Sequence, residues 1–321
     1  MSLRVCLCVA GVGVVIMTMA ATAHAQTYPQ KPVRIVVPFT AGGASDIIAR
    51  MLAADLTETF GLNVMVDNRG GAGTVLGTEI VARAPADGYT VLVNTPSFTI
   101  NGGVRKLPYD SMQDFAPVGL IAVTPLMLIT HPSLPVRSVK DLIALAKSRP
   151  GQLIYASSGQ GSPTHMGMEL LRFSGVLMTH VPYKGAAPAL VDAVGGHVQL
   201  MQTSVIVAKP HTSTGRLRAI AVTTARRTAA MPEVPTIAET IPGYEVLNWW
   251  GLTAPAKTPL AVIERLNSEV AKVMAKQANR ERLRSEGVEA ASGTPGDFAA
   301  MLRAEIAKWG KVGKEISLKL D

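Results

Sequence analysis

Val33-Arg34-Ile35-Val36-Val37-Pro38-Phe39-Thr40-Ala41-Gly42-Gly43-Ala44-Ser45-Asp46 is the stretch on which the fold turns. A β-branched apolar run suits a strand buried on both faces, and Pro38 to Gly43 breaks it with residues that favour a turn. Ser45 or Asp46 is then placed to cap a helix, because a short oxygen-bearing side chain accepts the otherwise unpaired N–H groups of the first turn. That helix carries Ile48, Leu52, Leu56 and Phe60 on one face and stops at Gly61. Strand, glycine turn and amphipathic helix in this order form the unit of a parallel α/β sheet.

Outward from this unit the pattern repeats. Val64 to Val66 reads as a strand followed by a helix, and Val91 to Val93 as a strand followed by a loop. A second series starts at Leu126 to Ile129, with Ser138-Val139-Lys140-Asp141 as the capping box of the next helix. Further strands are expected at Leu153 to Tyr155, His180 to Pro182, Val198 to Met201 and Leu217 to Thr223. Helices are expected around Thr164 to Phe173 and Ala186 to Val194. After a strand at Trp249 to Thr253, Thr258-Pro259 and Thr294-Pro295 with Asp297 open two more helices that can return to cover the first sheet. The expected architecture is therefore α/β with two lobes: residues 26–124 plus 224–321 form one, residues 125–223 the other, and two strands cross between them.

The N-terminus reads as an export leader over residues 1–25. Arg4 precedes an apolar run from Val5 to Ala20, and Ala23-His24-Ala25 gives small residues for cleavage before Gln26. The run is shorter than the ~20 residues a membrane-spanning helix needs. Both cysteines, Cys6 and Cys8, lie in the leader, so the mature chain has no thiol for a disulfide, a nucleophile or a metal. About 300 residues then remain, more than the ~250 at which one core usually stops growing. The formal charge of +8 is scattered and aromatics make up 5%, a pattern that suits a field attracting small anions and argues against nucleic acid.

Two loops carry the candidate chemistry. Phe39, Ala41, Gly42, Gly43, Ser45 and Asp46 join a strand to a helix in the first lobe; Ser157, Ser158, Gly159, Gly161, Ser162 and His165 do the same in the second. Glycines let backbone N–H groups approach a ligand, and the partial positive charge of a helix N-terminus favours an anion such as a carboxylate. Ligands of open α/β sheets bind beyond the carboxyl ends of the strands, so both loops are expected to face one cleft. Thr95 and Ser97 end a strand on the same side, and Thr203 and Ser204 follow Val198 to Met201. Trp249 or Trp250 is a further candidate wall.

Other motifs fall away. Gly71-Ala72-Gly73 to Gly77 imitates a dinucleotide turn, but the next strand ends Val93-Asn94-Thr95 without the acid that would hold a ribose. His165 and Glu169 lack a third metal ligand. No metal or cofactor is expected. A serine near His165 leaves an exported serine hydrolase as the alternative, although no nucleophile-elbow motif is present.

The landmarks, taken in order, resemble the Bug family, the substrate-binding proteins of tripartite tricarboxylate transporters. They are Tyr28-Pro29, Pro38-Phe39 with Gly42-Gly43 and Asp46, Asn68-Arg69 with Gly71-Ala72-Gly73, Asp87-Gly88-Tyr89, Leu107-Pro108-Tyr109-Asp110, Tyr155-Ala156-Ser157 to His165, Val181-Pro182-Tyr183-Lys184-Gly185, and Pro242-Gly243-Tyr244. The resemblance implies a type II periplasmic-binding-protein fold that closes on a carboxylate between the two loops. It also implies a periplasmic receptor serving transporter membrane components or a sensor protein; the sequence is silent on oligomeric state, with a monomer the default expectation. This chain departs from the family at Gln202-Thr203-Ser204, where many members carry Phe-Asp or Phe-Asn. Without an acid to pair with an amino group, carboxylates and dicarboxylates are expected over amino acids. Gly102-Gly103-Val104-Arg105-Lys106 is a second departure, in a loop of no evident role.

Overall fold

The computed structural model describes residues 28–228 and 231–315; the expected leader lies outside them. In the first lobe, β1 (Val33–Val37) pairs in parallel with β2 (Val64–Asn68) and β3 (Thr90–Asn94). Beyond β3 the sheet continues antiparallel through β9 (Leu247–Pro255) into β4 (Phe115–Thr130). The second lobe is built from β5 (Ile154–Ser157), β6 (Thr179–Pro182), β7 (Leu200–Ser204) and β8 (Arg218–Val222). There β7 and β8 both pair antiparallel with the second half of β4.

One strand thus serves both sheets. The first half of β4, up to Pro125, pairs with β9, and its second half, from Leu126, pairs with β7. The alternation of a strand then fills two cores at once in the second lobe. Leu126 and Leu128 pack with α4 (Val139–Ser148) and α5 (Pro163–Leu170), while Met127 and Ile129 pack with α6 (Ala186–Val194) and α7 (Val205–Thr212). In the first lobe, α1 (Ala44–Phe60) and α8 (Leu260–Ala275) cover one face through Ile48, Leu52, Ile263 and Leu266. On the other face lie α2 (Val75–Ala82), α3 (Pro96–Val104) and α10 (Pro295–Glu315), packing through Val81, Phe98, Phe298 and Leu302. The short α9 (Gln277–Ser285) leads into β10 (Glu289–Ala290), which pairs with β4 next to the crossing. No helix among the described residues is long and apolar enough to cross a membrane.

Several expectations shift. The first helix starts at Ala44 with Gly43 as its N-cap, not at Ser45 or Asp46. Asp46 instead sits in the first turn and accepts from the Gly42 N–H at 2.9 Å, so it stabilises the turn from inside the helix. A helix, α3, replaces the expected loop after β3; Thr95 caps it, accepting from the Ser97 N–H, with Pro96 at its first position. The return to the first lobe, expected near Thr224, falls in β9. Met231 and Val234 pack in one second-lobe core and Ile237, Tyr244 and Val246 in the other, because residues 231–246 bury apolar side chains that β8 alone leaves uncovered. Gly102-Gly103 also gains a purpose: a Cβ at Gly103 would lie 2.7 Å from the Ile306 carbonyl oxygen and the Gly310 nitrogen, so glycine lets α3 and α10 touch backbone to backbone.

Candidate functional site

Five helix N-termini converge on one small cavity between the lobes. Gly43, Ala44 and Ser45 belong to the start of α1, Thr95 to α3, Pro163 and Thr164 to α5, Ala186 to α6, and Thr203 and Ser204 to α7. Each terminus carries about half a positive charge from its aligned peptide dipoles and presents N–H groups with no partner in their own helix. Among the described residues, no charged side chain lines the cavity. The potential inside it is therefore set by backbone dipoles and hydroxyls, which hold their orientation at little reorganisation cost.

The expected residues divide by position. Phe39, Gly43, Ser45, Thr95, Ser158, Thr203 and Ser204 lie on the cavity wall. Ala41, Gly42, Asp46, Ser97, Ser157, Gly159, Gly161, Ser162 and His165 do not, and several of them shape the loops instead. Gly42 has φ +82°, a backbone conformation that Cβ-bearing residues rarely adopt. Asp46 is 4% exposed. Burial alone would raise its pKa, but hydrogen bonds from Arg50, Gly42 and Asn68 hold the carboxyl below the usual range. In the second loop, Ser162 caps α5 by accepting from the His165 N–H at 3.1 Å. Ser157 Oγ lies 2.6 Å from His180 Nε2.

Other wall residues carry no motif. Trp250 is fully buried and donates its indole N–H to Ser45 Oγ at 3.0 Å, leaving the Ser45 hydroxyl proton to point elsewhere. Asn248 lies two residues earlier on β9 and shares the same wall. The available signal was the period of two: Trp249, one residue out of step, packs on the opposite face against Phe298, with ring centres 5.7 Å apart. Thr203 Oγ1 is buried on the wall and has no protein hydrogen-bond partner, a condition native proteins resolve with a ligand or a water.

Beneath the second loop the rings of Tyr155, His180 and His165 stack, with His165 and His180 centred 4.1 Å apart. Burial, with the charges of Arg105 and Arg172, pushes His165 down to about 4. Burial and the neighbouring His165 push His180 down to about 3, against the opposing pull of Glu169. Both rings are therefore neutral in the folded protein where the unfolded chain, at about 6.5, already takes up protons. Their contribution is complete above about pH 6.5 and is lost as pH falls towards 4 and 3. The unfolding temperature is expected to drop between pH 6.5 and 4.5, before carboxylates titrate, and His165→Gln should flatten that slope. An unchanged slope in the variant would contradict the assignment.

The lobes touch at the rim of the cavity. The Thr40 N–H donates to the Lys184 carbonyl at 3.1 Å, Arg105 Nη2 donates to Gln160 Oε1 at 3.0 Å, and Gly159 is packed against Gly73. Gly71 to Gly73 thus serve close approach between loops, and Gly77, whose Cβ would lie 2.8 Å from Pro38 Cα, serves the packing of α2 on the end of β1.

Two α/β lobes joined by crossing strands, with a small cavity between them onto which helix N-termini converge, define a periplasmic-type solute-binding protein of type II fold. Residues 48–318 match the model of the tripartite tricarboxylate transporter family receptor, and the chain belongs to that family. It is 35% identical over 319 residues to the protein BugT of Bordetella pertussis, with 98% of each chain covered. Among solved structures it resembles R. palustris Rpa4515 with adipate (TM-score 0.87, 40% identity, 90% of this chain and 98% of that one). It also resembles MatC (Rpa3494) from Rhodopseudomonas palustris with bound malate (TM-score 0.85, 31% identity, 89% and 99%).

Proposed function

We propose that this protein is an exported periplasmic receptor that closes its lobes on a small carboxylate and delivers it to the membrane components of a tripartite tricarboxylate-type transporter. The observation that carries this reading is the convergence of five helix N-termini on a cavity that no charged side chain among the described residues lines. Family membership supports it, as do the adipate and malate held by two relatives. In this reading the ligand's carboxylate takes hydrogen bonds from the Ser45, Thr203 and Ser204 hydroxyls and from first-turn N–H groups, and Phe39 and Trp250 supply apolar walls. The moving bodies are residues 28–124 with 247–315, and residues 125–228 with 231–246, flexing where β4 and β9 cross. Closure follows because a carboxylate that touches both lobes prefers the closed form over the open one.

The protein does no chemistry on its ligand in this reading. Against the hydrolase alternative, Ser162 Oγ caps α5 and His165 Nδ1 accepts from the Gly161 N–H at 3.3 Å, so these two side chains are not paired with each other. A thermal-unfolding screen tests the proposal. Carboxylates should stabilise the protein, by ~2.7 kcal/mol at a hundredfold excess over Kd, whereas neutral sugars and amines should not. Thr203→Val, which removes one hydroxyl at nearly constant volume, should weaken binding roughly tenfold, the value of one hydrogen bond to a charged group. Stabilisation by no carboxylate, or turnover of esters that disappears in Ser162→Ala, would refute the receptor reading.

A further inference from the structure

A second cavity, of about 470 Å³, lies where the chain crosses between the lobes, and it shares no wall residue with the cavity described above. The first lobe contributes Arg280, Arg284 and residues 287–290, the second lobe contributes Thr228, and Pro125 sits on the crossing strand itself. Local sequence builds this arrangement. Because α9 buries Leu283 in the first-lobe core, Arg280 and Arg284, one turn apart, are left beside the pocket. The helix then ends in a Schellman turn, with the Val288 N–H donating to the Leu283 carbonyl at 2.9 Å and the N–H of Gly287, at φ +71°, to the Arg284 carbonyl at 3.0 Å. That turn brings residues 287–290 back beside the two arginines. It also meets the second lobe: a Cβ at Gly287 would lie 2.7 Å from Val205 of α7, and Lys209 of α7 donates to the Ser285 carbonyl. Two features leave the pocket incomplete. On neighbouring α8, Arg265 and Lys272 both pair with Glu269, but neither the Arg280 nor the Arg284 guanidinium has an ion pair or hydrogen bond with any described residue. Thr228 Oγ1 is buried and has no partner among the described residues either.

We infer that this pocket is a second binding site, for a phosphate monoester that carries hydroxyl groups, and that its occupant acts on ligand capture from the crossing between the lobes. A phosphate monoester bears about −1.5 to −2 charge at pH 7, which matches two guanidiniums that each donate in a fork. Glu289 also lines the pocket. It repels a bare oxyanion but accepts from hydroxyls, and Thr228 Oγ1 can do the same, so the two select for a polyhydroxylated body behind the phosphate. Volume agrees. At ~10–15 Å³ for one water, about 470 Å³ has room for a sugar ring and its phosphate, whereas the inter-lobe cavity, about 40 Å³, has not. The effector role rests on the receptor reading above. An occupant that touches both lobes binds their open and closed arrangements unequally, and by linkage it changes carboxylate affinity by the factor by which the carboxylate changes its own. The pocket has these walls with the lobes in contact, so the expected coupling is positive.

Calorimetric titration with glucose 6-phosphate, glucose and inorganic phosphate tests the site. Glucose 6-phosphate should bind, glucose should not, and inorganic phosphate should bind more weakly than the ester. Arg280→Gln and Arg284→Gln, both at exposed positions where folding is unaffected, should each weaken the ester roughly tenfold, the value of one hydrogen bond to a charged group. Added salt should do the same. No binding of the ester, or binding that is lost in Thr203→Val and unchanged in both arginine variants, would overturn the site. The effector role is read from adipate affinity with and without saturating glucose 6-phosphate, which should rise severalfold in wild type and not in Arg284→Gln. Equal adipate affinities with the ester bound would overturn that role. Failure of adipate and every other carboxylate to bind would bring down the receptor reading and the effector role with it, while the first titration still decides the site.

Discussion

Gly73→Asn is expected to lower affinity for every carboxylate ligand by roughly 100-fold, the loss produced when the closed form is disfavoured by ~2.7 kcal/mol. Gly73 has φ +62°, a conformation that asparagine adopts more readily than other side chains, so backbone strain contributes little. The obstacle lies across the cleft, where a Cβ would overlap the Gln160 carbonyl oxygen of the opposite lobe. Within its own lobe the nearest atom is the flexible end of Arg105, at 3.2 Å. The substitution should therefore penalise closure and spare folding, and the unfolding temperature without ligand should move by no more than a few degrees. Gly61→Asn is a matched control, with φ +64° and open space around its Cβ. Titration calorimetry on both variants, with small-angle scattering to follow compaction, gives the outcome. Equal affinity in wild type and Gly73→Asn would mean that the lobes need not meet at this turn for binding.

Trp250→Ala is expected to be the most destabilising single change at the site, costing about 3–5 kcal/mol, the usual range for removing a large buried aromatic. The side chain is fully buried in the first-lobe core. At 2–4 °C per kcal/mol for a chain of this size, the unfolding temperature should fall by about 10 °C. Trp250→Phe separates packing from polarity, since it retains most of the apolar volume and removes the N–H that Ser45 Oγ accepts. Ser45 is then free to rotate, so Trp250→Phe should weaken ligand binding roughly tenfold, the value of one hydrogen bond to a charged group, with a much smaller loss of stability. Wild-type affinity in Trp250→Phe would show that the indole does not orient the Ser45 hydroxyl.

Much of the molecule was legible in the chain. The strands β1, β5 and β7 and the stripe Ile48, Leu52, Leu56 follow from local hydrophobic periodicity, which depends only on neighbours in sequence. The glycine turns at Gly42-Gly43 and Gly159 to Gly161 announced themselves by composition. Two of the five helix N-termini, those of α1 and α5, were read in this way. The start of α6 was read as a helix without being placed at the site. Those of α3 and α7 were missed as helices, though Thr95-Pro96 is a serviceable N-cap signal. Trp250 was named only as one of two candidate walls with Trp249, and Asn248 was not named, because a strand shows which residues share a face but not what that face meets.

By itself the sequence determined the α/β class, the existence of two lobes, the two facing loops and the family resemblance, all of which are written in local pattern and ordered landmarks. Only the tertiary structure decided that the chain returns to the first lobe in β9 and not at Thr224. It also decided that no charged side chain among the described residues lines the cavity, and that Arg105 reaches Gln160 from the other lobe. These are matters of which surfaces meet. Residues 105 and 160, or 45 and 250, become neighbours only when the whole chain has packed, and no local propensity encodes that distance.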